Sequence, residues 1–375
     1  MRDENRMPRH YYATLQHHVL FLCLCALVLT AGCGRQEQLV FESSEVVEKL
    51  PALHQKQVNE QIERLFGSPT TPFIRVPDET AEESDEIKLV DVVTTQSLLA
   101  GAAVYYRRCS MCHGVSGNGQ GEAAAYLQPR PRDYRPGKFK FKATQRSEKP
   151  FRSDLARLIR NGAKGTSMPS FKWLPHEDIE AVVDYVIYLS KRGEVQNYVS
   201  EIAGFDYAED EDLDFELFQE GLDIVLASWG DDRKTVVNPL TPRPAYNDAS
   251  IQLGREAFLQ RGCATCHGKD GRGQTEWLSP EYIARQEQIP EAERVKVNYD
   301  EWGNVAPAAD LTAGMLHGGR RPIDVYRRIF AGINGTPMPA FETAFAQEPE
   351  TIWHLSHYIL SLVEQRETET DEQRP

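Results

Sequence analysis

Cysteine is scarce in this chain, and none of it is left over for a disulfide. Of seven cysteines in 375 residues, two lie in an N-terminal apolar run, one ends it, and four form two Cys-x-x-Cys pairs. The apolar run at 19–31 has thirteen residues, whereas a membrane-spanning helix needs about 20. A basic excess is also missing, because the net charge is −14. These absences argue against a multi-span membrane protein and a nucleic-acid-binding protein.

The remaining composition is that of a folded protein with more than one domain. Apolar residues make up 41% of the chain, which suits small domains joined by polar connectors better than one large core. The 15 Tyr, 15 Phe and 5 Trp exclude a simply disordered acidic chain.

The N-terminus predicts export and a lipid anchor. Basic residues precede the apolar run, which has the size of a signal-peptide core and ends in Thr-Ala-Gly-Cys at 30–33. This ending resembles the bacterial lipobox, although Thr30 replaces the usual leucine. We expect a lipoprotein signal peptide at 1–32, lipid on Cys33 and a periplasmic location, anchored to a membrane of the cell envelope. An ordinary cleaved signal peptide and an uncleaved anchor are the alternatives.

Two Cys-x-x-Cys-His motifs predict covalent haem. They are Cys109-Ser-Met-Cys112-His113 and Cys263-Ala-Thr-Cys266-His267. Cysteines three positions apart lie on one face of a helical turn, where both can bond to one haem edge. The adjacent histidine can then bind the iron, so we expect two haem c groups with His113 and His267 as iron ligands. A zinc site would require the two pairs to converge, and a thioredoxin-like pair would leave the histidine without a role.

An internal repeat predicts the second iron ligand. Residues 153–171 and 323–341 align without a gap and share nine of nineteen residues, including a Gly-rich loop that ends in Met-Pro. A thioether is a good sixth ligand for haem iron. We therefore expect Met168 and Met338 to bind iron, rather than simply to fill gaps in a core. Met315 is a rival in the second unit, but it lacks the shared loop.

Helical patterns flank each motif. Apolar residues recur at helical spacing after each Met-Pro loop, at 176–190 and 350–362. Gly101 and Gly254 lie before the motifs, where the lack of a side chain would let one helix pass close across another.

Each unit resembles a class I c-type cytochrome, and the tandem arrangement resembles the dihaem subunit of haem-copper oxidases. The resemblance implies an all-α fold with two such domains in tandem, joined by an acidic, partly helical connector. It also implies a proline whose carbonyl accepts the proton of the iron-binding histidine. Pro131 and Pro307 lie near that place, each shifted by one residue.

The predicted organisation is a signal peptide at 1–32, an N-terminal helix and acidic Pro-rich tether at 33–91, domain 1 at 92–192, the connector at 193–249, domain 2 at 250–365 and a polar tail at 366–375.

The same resemblance implies an electron carrier rather than an enzyme. It would transfer electrons between respiratory-chain partners, alone or as a subunit of a larger complex, without a small-molecule substrate or nucleic acid. A dihaem peroxidase or a haem-based sensor is the alternative, because either needs one open iron site.

Charge is unevenly distributed. Residues 92–192 carry a net charge of +9 and residues 193–249 one of −11, and twelve bases lie between Arg130 and Lys164. We expect these bases to attract an acidic redox partner to domain 1. The alternative is an internal pairing with the acidic residues at 208–216.

Overall fold

Helices are the main regular elements of the described residues, which also form two short hairpins near the N-terminus. The computed structural model describes residues 39–78, 80, 87–273, 280–290, 299–304 and 306–372. The predicted signal peptide and Cys33 lie outside the described residues. From Phe41 onward the chain forms one compact unit.

The elements are numbered in chain order. The helices are α1 (Glu45–Glu48), α2 (Ala52–Phe66), α3 (Thr95–Arg108), α4 (Ser110–His113), α5 (Arg152–Asn161), α6 (His176–Asp206), α7 (Phe215–Ser228), α8 (Asp248–Gln260), α9 (Cys263–His267), α10 (Pro280–Glu287), α11 (Pro322–Ala331) and α12 (Thr351–Glu372). The strands are β1 (Gly67–Ser68), β2 (Thr71–Pro72), β3 (Ile74–Pro77) and β4 (Leu89–Val93).

The N-terminal helices and the connector helix belong to the core of the first domain. Val58 and Ile62 of α2 and Leu222 of α7 are fully buried in the same cluster as Tyr105 of α3 and Val183 of α6. Burial of such side chains stabilises each by roughly 2 kcal/mol. The segments outside the cytochrome pattern are therefore structural parts of domain 1.

Helix α6 runs through the predicted boundary at 192. It begins after Pro175, with Glu177 and Asp178 in the first turn, where acidic side chains interact favourably with the helix dipole. It continues for 31 residues to Asp206, and its buried face includes Val199 in the predicted connector. The connector therefore continues the last helix of domain 1.

Gly101 and Gly254 lie at matching helix crossings. A Cβ on Gly101 of α3 would be 2.0 Å from the carbonyl oxygen of Ala181 in α6. A Cβ on Gly254 of α8 would likewise be 2.0 Å from the carbonyl oxygen of His354 in α12. Real Cβ atoms do not approach oxygen this closely, so both crossings need glycine. The predicted close passage is confirmed in both units.

The predicted acidic tether contains short strands. β1 pairs with β2 and β3 with β4, both antiparallel. The second hairpin is closed by an ion pair between Arg75 and Asp91, with 2.7 Å between Nε and Oδ1. These strands are small additions to a helix-rich fold, and the all-α class is confirmed. No helix in the described part of the chain is long and apolar enough to cross a membrane.

The second domain has its own core. Phe258 of α8, Tyr326 of α11 and Trp353 of α12 are buried together, and Phe345 is fully buried beside them. The residues described by the structure thus form two hydrophobic cores, one for each predicted cytochrome domain.

Candidate functional site

Each Cys-x-x-Cys-His motif forms a short helical turn after a longer helix. α3 ends at Arg108 and is followed by the turn α4, whereas α8 ends at Gln260 and is followed by α9. In the first motif the backbone N–H of His113 donates to the carbonyl of Cys109 at 2.9 Å. This turn brings the two cysteines and the histidine onto one side, as attachment to one haem edge requires.

The two motif histidines are oriented in the same way. His113 Nδ1 donates to the carbonyl oxygen of Arg132, and His267 Nδ1 to that of Ala309, each at 3.0 Å. The hydrogen bond fixes the tautomer, so Nε2 keeps its lone pair for a metal. Burial lowers the pKa of His113 to about 4 and also lowers that of His267, although the hydrogen bonds oppose this. Both imidazoles are therefore neutral at pH 7.

Neither carbonyl acceptor is the proline that the resemblance implies. The Tyr134 N–H donates to the Gly117 carbonyl, and the Leu311 N–H to the Gly271 carbonyl, each at 2.7 Å. These matching bonds align Tyr134 with Leu311, and thus Arg132 with Ala309. The acceptor follows Pro131 by one residue and Pro307 by two, so the prolines shape the loop without accepting the proton.

The two Met-Pro loops have the same internal hydrogen bonds. Thr166 Oγ1 donates to the Ala163 carbonyl and accepts from the Met168 N–H, at 2.8 and 3.1 Å. Thr336 Oγ1 makes the same two contacts with Ile333 and Met338, at 2.8 and 3.3 Å. Matched hydrogen bonds at equivalent positions show that the sequence repeat is also a structural repeat.

Both motifs border one cavity of about 660 Å³. Apolar side chains from both domains line it, among them Val186 of α6 and Ile359 of α12. The eight residues predicted to hold haem all border it: Cys109, Cys112, His113, Met168, Cys263, Cys266, His267 and Met338. The convergence of three or more His, Cys, Asp or Glu side chains that zinc would require is not found in the described part of the chain.

Three half-buried bases add positive charge to the apolar lining. Burial lowers the pKa of Arg132 and of Arg328 to about 10, and that of Lys140 to about 8. A cation held in an apolar cavity is stabilised by an anion placed there. Haem combines an apolar macrocycle with two carboxylates, so the lining fits it in both respects.

Family comparisons agree with this geometry. The model for cytochrome c oxidase, cbb3-type, subunit III, matches residues 96–186, and the model for cytochrome c matches residues 251–363. The chain is a c-type cytochrome with two domains in tandem. It binds two haem c groups covalently and has a haem-based role in electron transfer.

A solved structure resembles most of this cytochrome. A chain of the Kuenenia stuttgartiensis reducing HAO-like protein complex is 26% identical, with a TM-score of 0.50. The match covers 70% of the cytochrome and 96% of that chain. No curated protein matches the cytochrome.

Met315 and His317 lie against the first domain's Met168 loop. His317 Nδ1 donates to the carbonyl of Lys164, and a Cβ on Gly165 would be 2.7 Å from Cβ of Met315. Met315, treated from sequence as a rival ligand in the second unit, thus contacts the loop of the other domain. Its side chain is 51% exposed.

Trp302 joins the two domains. The Arg132 guanidinium lies 3.6 Å from the centroid of its indole ring, close enough for a cation–π contact. On its other side the ring packs against the second Met-Pro loop, since a Cβ on Gly335 would be 2.2 Å from it. Trp302 therefore contacts both domains.

The basic stretch of domain 1 has several partners within the chain. Lys140 Nζ lies 3.5 Å from Oδ2 of Asp300, and Lys138 pairs with Glu301, so two bases are directed at domain 2. Arg152 pairs with Glu180 within domain 1. Much of the charge counted in the sequence therefore stabilises the folded chain.

The acidic segment 208–216 lies elsewhere. Gln57 Nε2 donates to Asp212 at 2.6 Å, and one ring nitrogen of His54 lies 2.8 Å from the carbonyl of Glu211. No ion pair joins 208–216 to the bases at 130–164, both of which the structure describes throughout. The internal pairing considered from sequence is thus not formed, because this segment packs on α2.

Proposed function

We propose that this cytochrome carries electrons between redox protein partners in the cell envelope, with His113/Met168 and His267/Met338 as its two iron ligand pairs. The supporting observation is that an oriented, neutral histidine and a fixed Met loop occur twice and border one cavity. When bound, haem c supplies reversible one-electron exchange at its iron.

The protein's own residues hold the two sites ready. The carbonyls of Arg132 and Ala309 keep the histidines in the metal-binding tautomer, and the threonines of the Met loops hold the backbone of the two methionines. Apolar side chains from both domains exclude water, which favours the reduced form and limits reorganisation. Because one cavity serves both sites, we infer that electrons pass between the two haems inside the protein.

We further propose that the cytochrome works as the electron-transfer subunit of a redox complex. The similar Kuenenia chain comes from a complex described as reducing and HAO-like. In the present cytochrome, lipid on Cys33 would hold the assembly at a membrane and raise the local concentration of the partners. This anchor rests on the N-terminal sequence alone.

Replacing either loop methionine should open one iron and leave the other closed. In Met168→Leu or Met338→Leu we expect the ferric Met–iron absorption band to fall by about half and one haem per chain to bind carbon monoxide. Met315→Leu is the control and should change neither measurement. Rapid carbon monoxide binding by the unmodified protein would instead favour the peroxidase or sensor alternative. Pyridine-haem quantitation should give two haems per chain in every variant.

An acidic partner is proposed to dock beside the first motif. Arg107 and Arg108 are exposed there, and Arg108 lies 5.0 Å from the ring centroid of Trp173, whose side chain is 58% exposed. Such charge steers association with an anion at low salt. Anionic ferricyanide can therefore serve as a probe of this surface.

Reversing these charges should slow oxidation of the reduced protein by ferricyanide. For the double variant Arg107→Glu/Arg108→Glu we expect about a tenfold lower rate constant at low ionic strength, with most of the difference lost near 1 M salt. The double variant Lys49→Glu/Lys56→Glu changes net charge equally on the N-terminal helices and should have a smaller effect. Equal rates for the two double variants would contradict docking at this surface.

A further inference from the structure

Arg146 belongs to domain 1, but its guanidinium binds the second Met-Pro loop. Nη1 donates to the carbonyl oxygen of Met338 at 2.5 Å, and Nη2 to that of Thr336 at 3.0 Å. The two donors of one planar fork thus hold two carbonyls on either side of Pro337. Hydrogen bonds from a charged donor are about twice as strong as those between neutral groups.

The surroundings show that the guanidinium is fitted to this loop. Arg146 is half-buried, and no ion pair joins it to a carboxylate of the described residues. Gly332 makes room for it, because a Cβ there would be 2.5 Å from Nη1. Gly332 has a φ of 68°, so glycine serves both the turn and the arginine.

Among the described residues, no such fork contacts the first Met-Pro loop. At the equivalent Gly162, the three atoms nearest to a Cβ would belong to its own loop, at Pro169 and Met168. Both loops share the threonine bonds and a backbone bond to the methionine carbonyl, from Ala163 in one and Ile333 in the other, at 3.2 Å each. Arg146 is therefore an addition to the second loop alone.

We propose that Arg146 is a positioning residue that holds Met338 on the second haem iron from the neighbouring domain. This inference rests on the proposed ligation by Met338. A loop fixed to the other domain must break two charge-assisted hydrogen bonds before its methionine can swing away. Ligation at the second haem therefore depends on domain docking, and the second iron resists replacement of its methionine by outside ligands.

Imidazole competition on the full-length, oxidised dihaem protein tests this role. Imidazole displaces methionine, and loss of the ferric Met–iron band reports each displacement. In Arg146→Ala we expect one of the two haems to bind imidazole about tenfold more tightly, which corresponds to about 1.4 kcal/mol. Arg146→Lys keeps the charge without the fork and should fall between that variant and the unmodified protein. Arg152→Ala is the matched control, because Arg152 pairs with Glu180 within domain 1, and it should bind as the unmodified protein does.

The outcomes separate this inference from the function on which it rests. If Met338→Leu leaves the absorption band unchanged, the proposed ligation fails. If Met338→Leu removes about half of the band but Arg146→Ala and Arg146→Lys bind imidazole as the unmodified protein does, ligation stands and the positioning role is overturned. Tighter binding at both haems would also overturn it, since only one loop contacts Arg146. Should the alanine variant not accumulate, unchanged affinity in Arg146→Lys is sufficient to overturn it.

Discussion

Gly101→Ala should lower the free energy of unfolding by about 3 kcal/mol, the upper part of the range for overpacked cores. The new methyl group would lie 2.0 Å from the carbonyl oxygen of Ala181 and 2.9 Å from Cβ of Tyr185. The first contact is with helix backbone, which cannot rotate away, so α3 and α6 must separate along their crossing. Gly254→Ala should have a similar effect through the carbonyl of His354.

Urea unfolding of the dihaem protein measures this loss, and Gly204→Ala is the matched control. Gly204 is also in α6, but a Cβ there would meet only Cδ2 of Leu50, at an ordinary 3.5 Å. Alanine is favoured over glycine in a helix by up to about 1 kcal/mol, so this variant should be unchanged or slightly more stable. If Gly101→Ala and Gly204→Ala had the same unfolding midpoint, the close helix crossing would not be the reason for glycine at position 101.

Trp302→Ala should weaken the joint between the domains by about 2 kcal/mol, less than the roughly 3–5 kcal/mol for a fully buried tryptophan, because the indole is half-buried. The variant removes the surface on which Arg132 stacks and leaves a gap beside Gly335. Arg132 also supplies the carbonyl that orients His113. We therefore expect loosening to begin at the domain joint and to reach the first haem site.

Calorimetry and limited proteolysis test this expectation. Both domains of the unmodified protein should unfold in one shared thermal transition. In Trp302→Ala we expect two separate transitions and faster proteolytic cleavage between the domains. Trp173→Ala removes an indole that is 58% exposed and contacts Phe171 and Arg108, both within domain 1. It should keep the shared transition. If Trp302→Ala unfolds in one transition and is cut no faster than the unmodified protein, other contacts hold the two domains together.

The repeated parts of the fold were readable from the sequence. Glycines at 101 and 254 mark close helix crossings, and the shared Met-Pro loops have equal hydrogen bonds around Thr166 and Thr336. Both depend on local geometry, which a single repeat unit encodes. For this reason the all-α class and eight of the residues that border the cavity can be predicted from sequence.

Contacts between segments that lie far apart in the sequence could not be predicted from it. The acceptor lies 19 residues after His113 but 42 residues after His267, so no common spacing from the motif predicts it. Only the backbone bonds of Tyr134 and Leu311 show the correct register. The role of Arg146 likewise depends on which surface of domain 2 faces it, and no local pattern encodes that.

The net charge of a segment does not show which of its charged residues form ion pairs. Bases such as Lys140 were expected to face an outside partner, yet Lys140 pairs with Asp300 in the neighbouring domain. Asp300 follows a segment of domain 2 that has no equivalent in domain 1. A sequence sum cannot distinguish a steering surface from an interdomain contact, because both need the same residue types.

The cavity shared by the two halves couples attachment of one haem to attachment of the other. Its apolar walls come from both halves of the chain, so neither half can shield its own site from water until the other is in place. A chain with only one haem attached would retain an unfilled hydrophobic space where the halves meet, and would be less stable than the finished protein. Maturation should thus be cooperative: the second attachment completes the closure that the first begins, and partly loaded chains should be the ones that proteases remove.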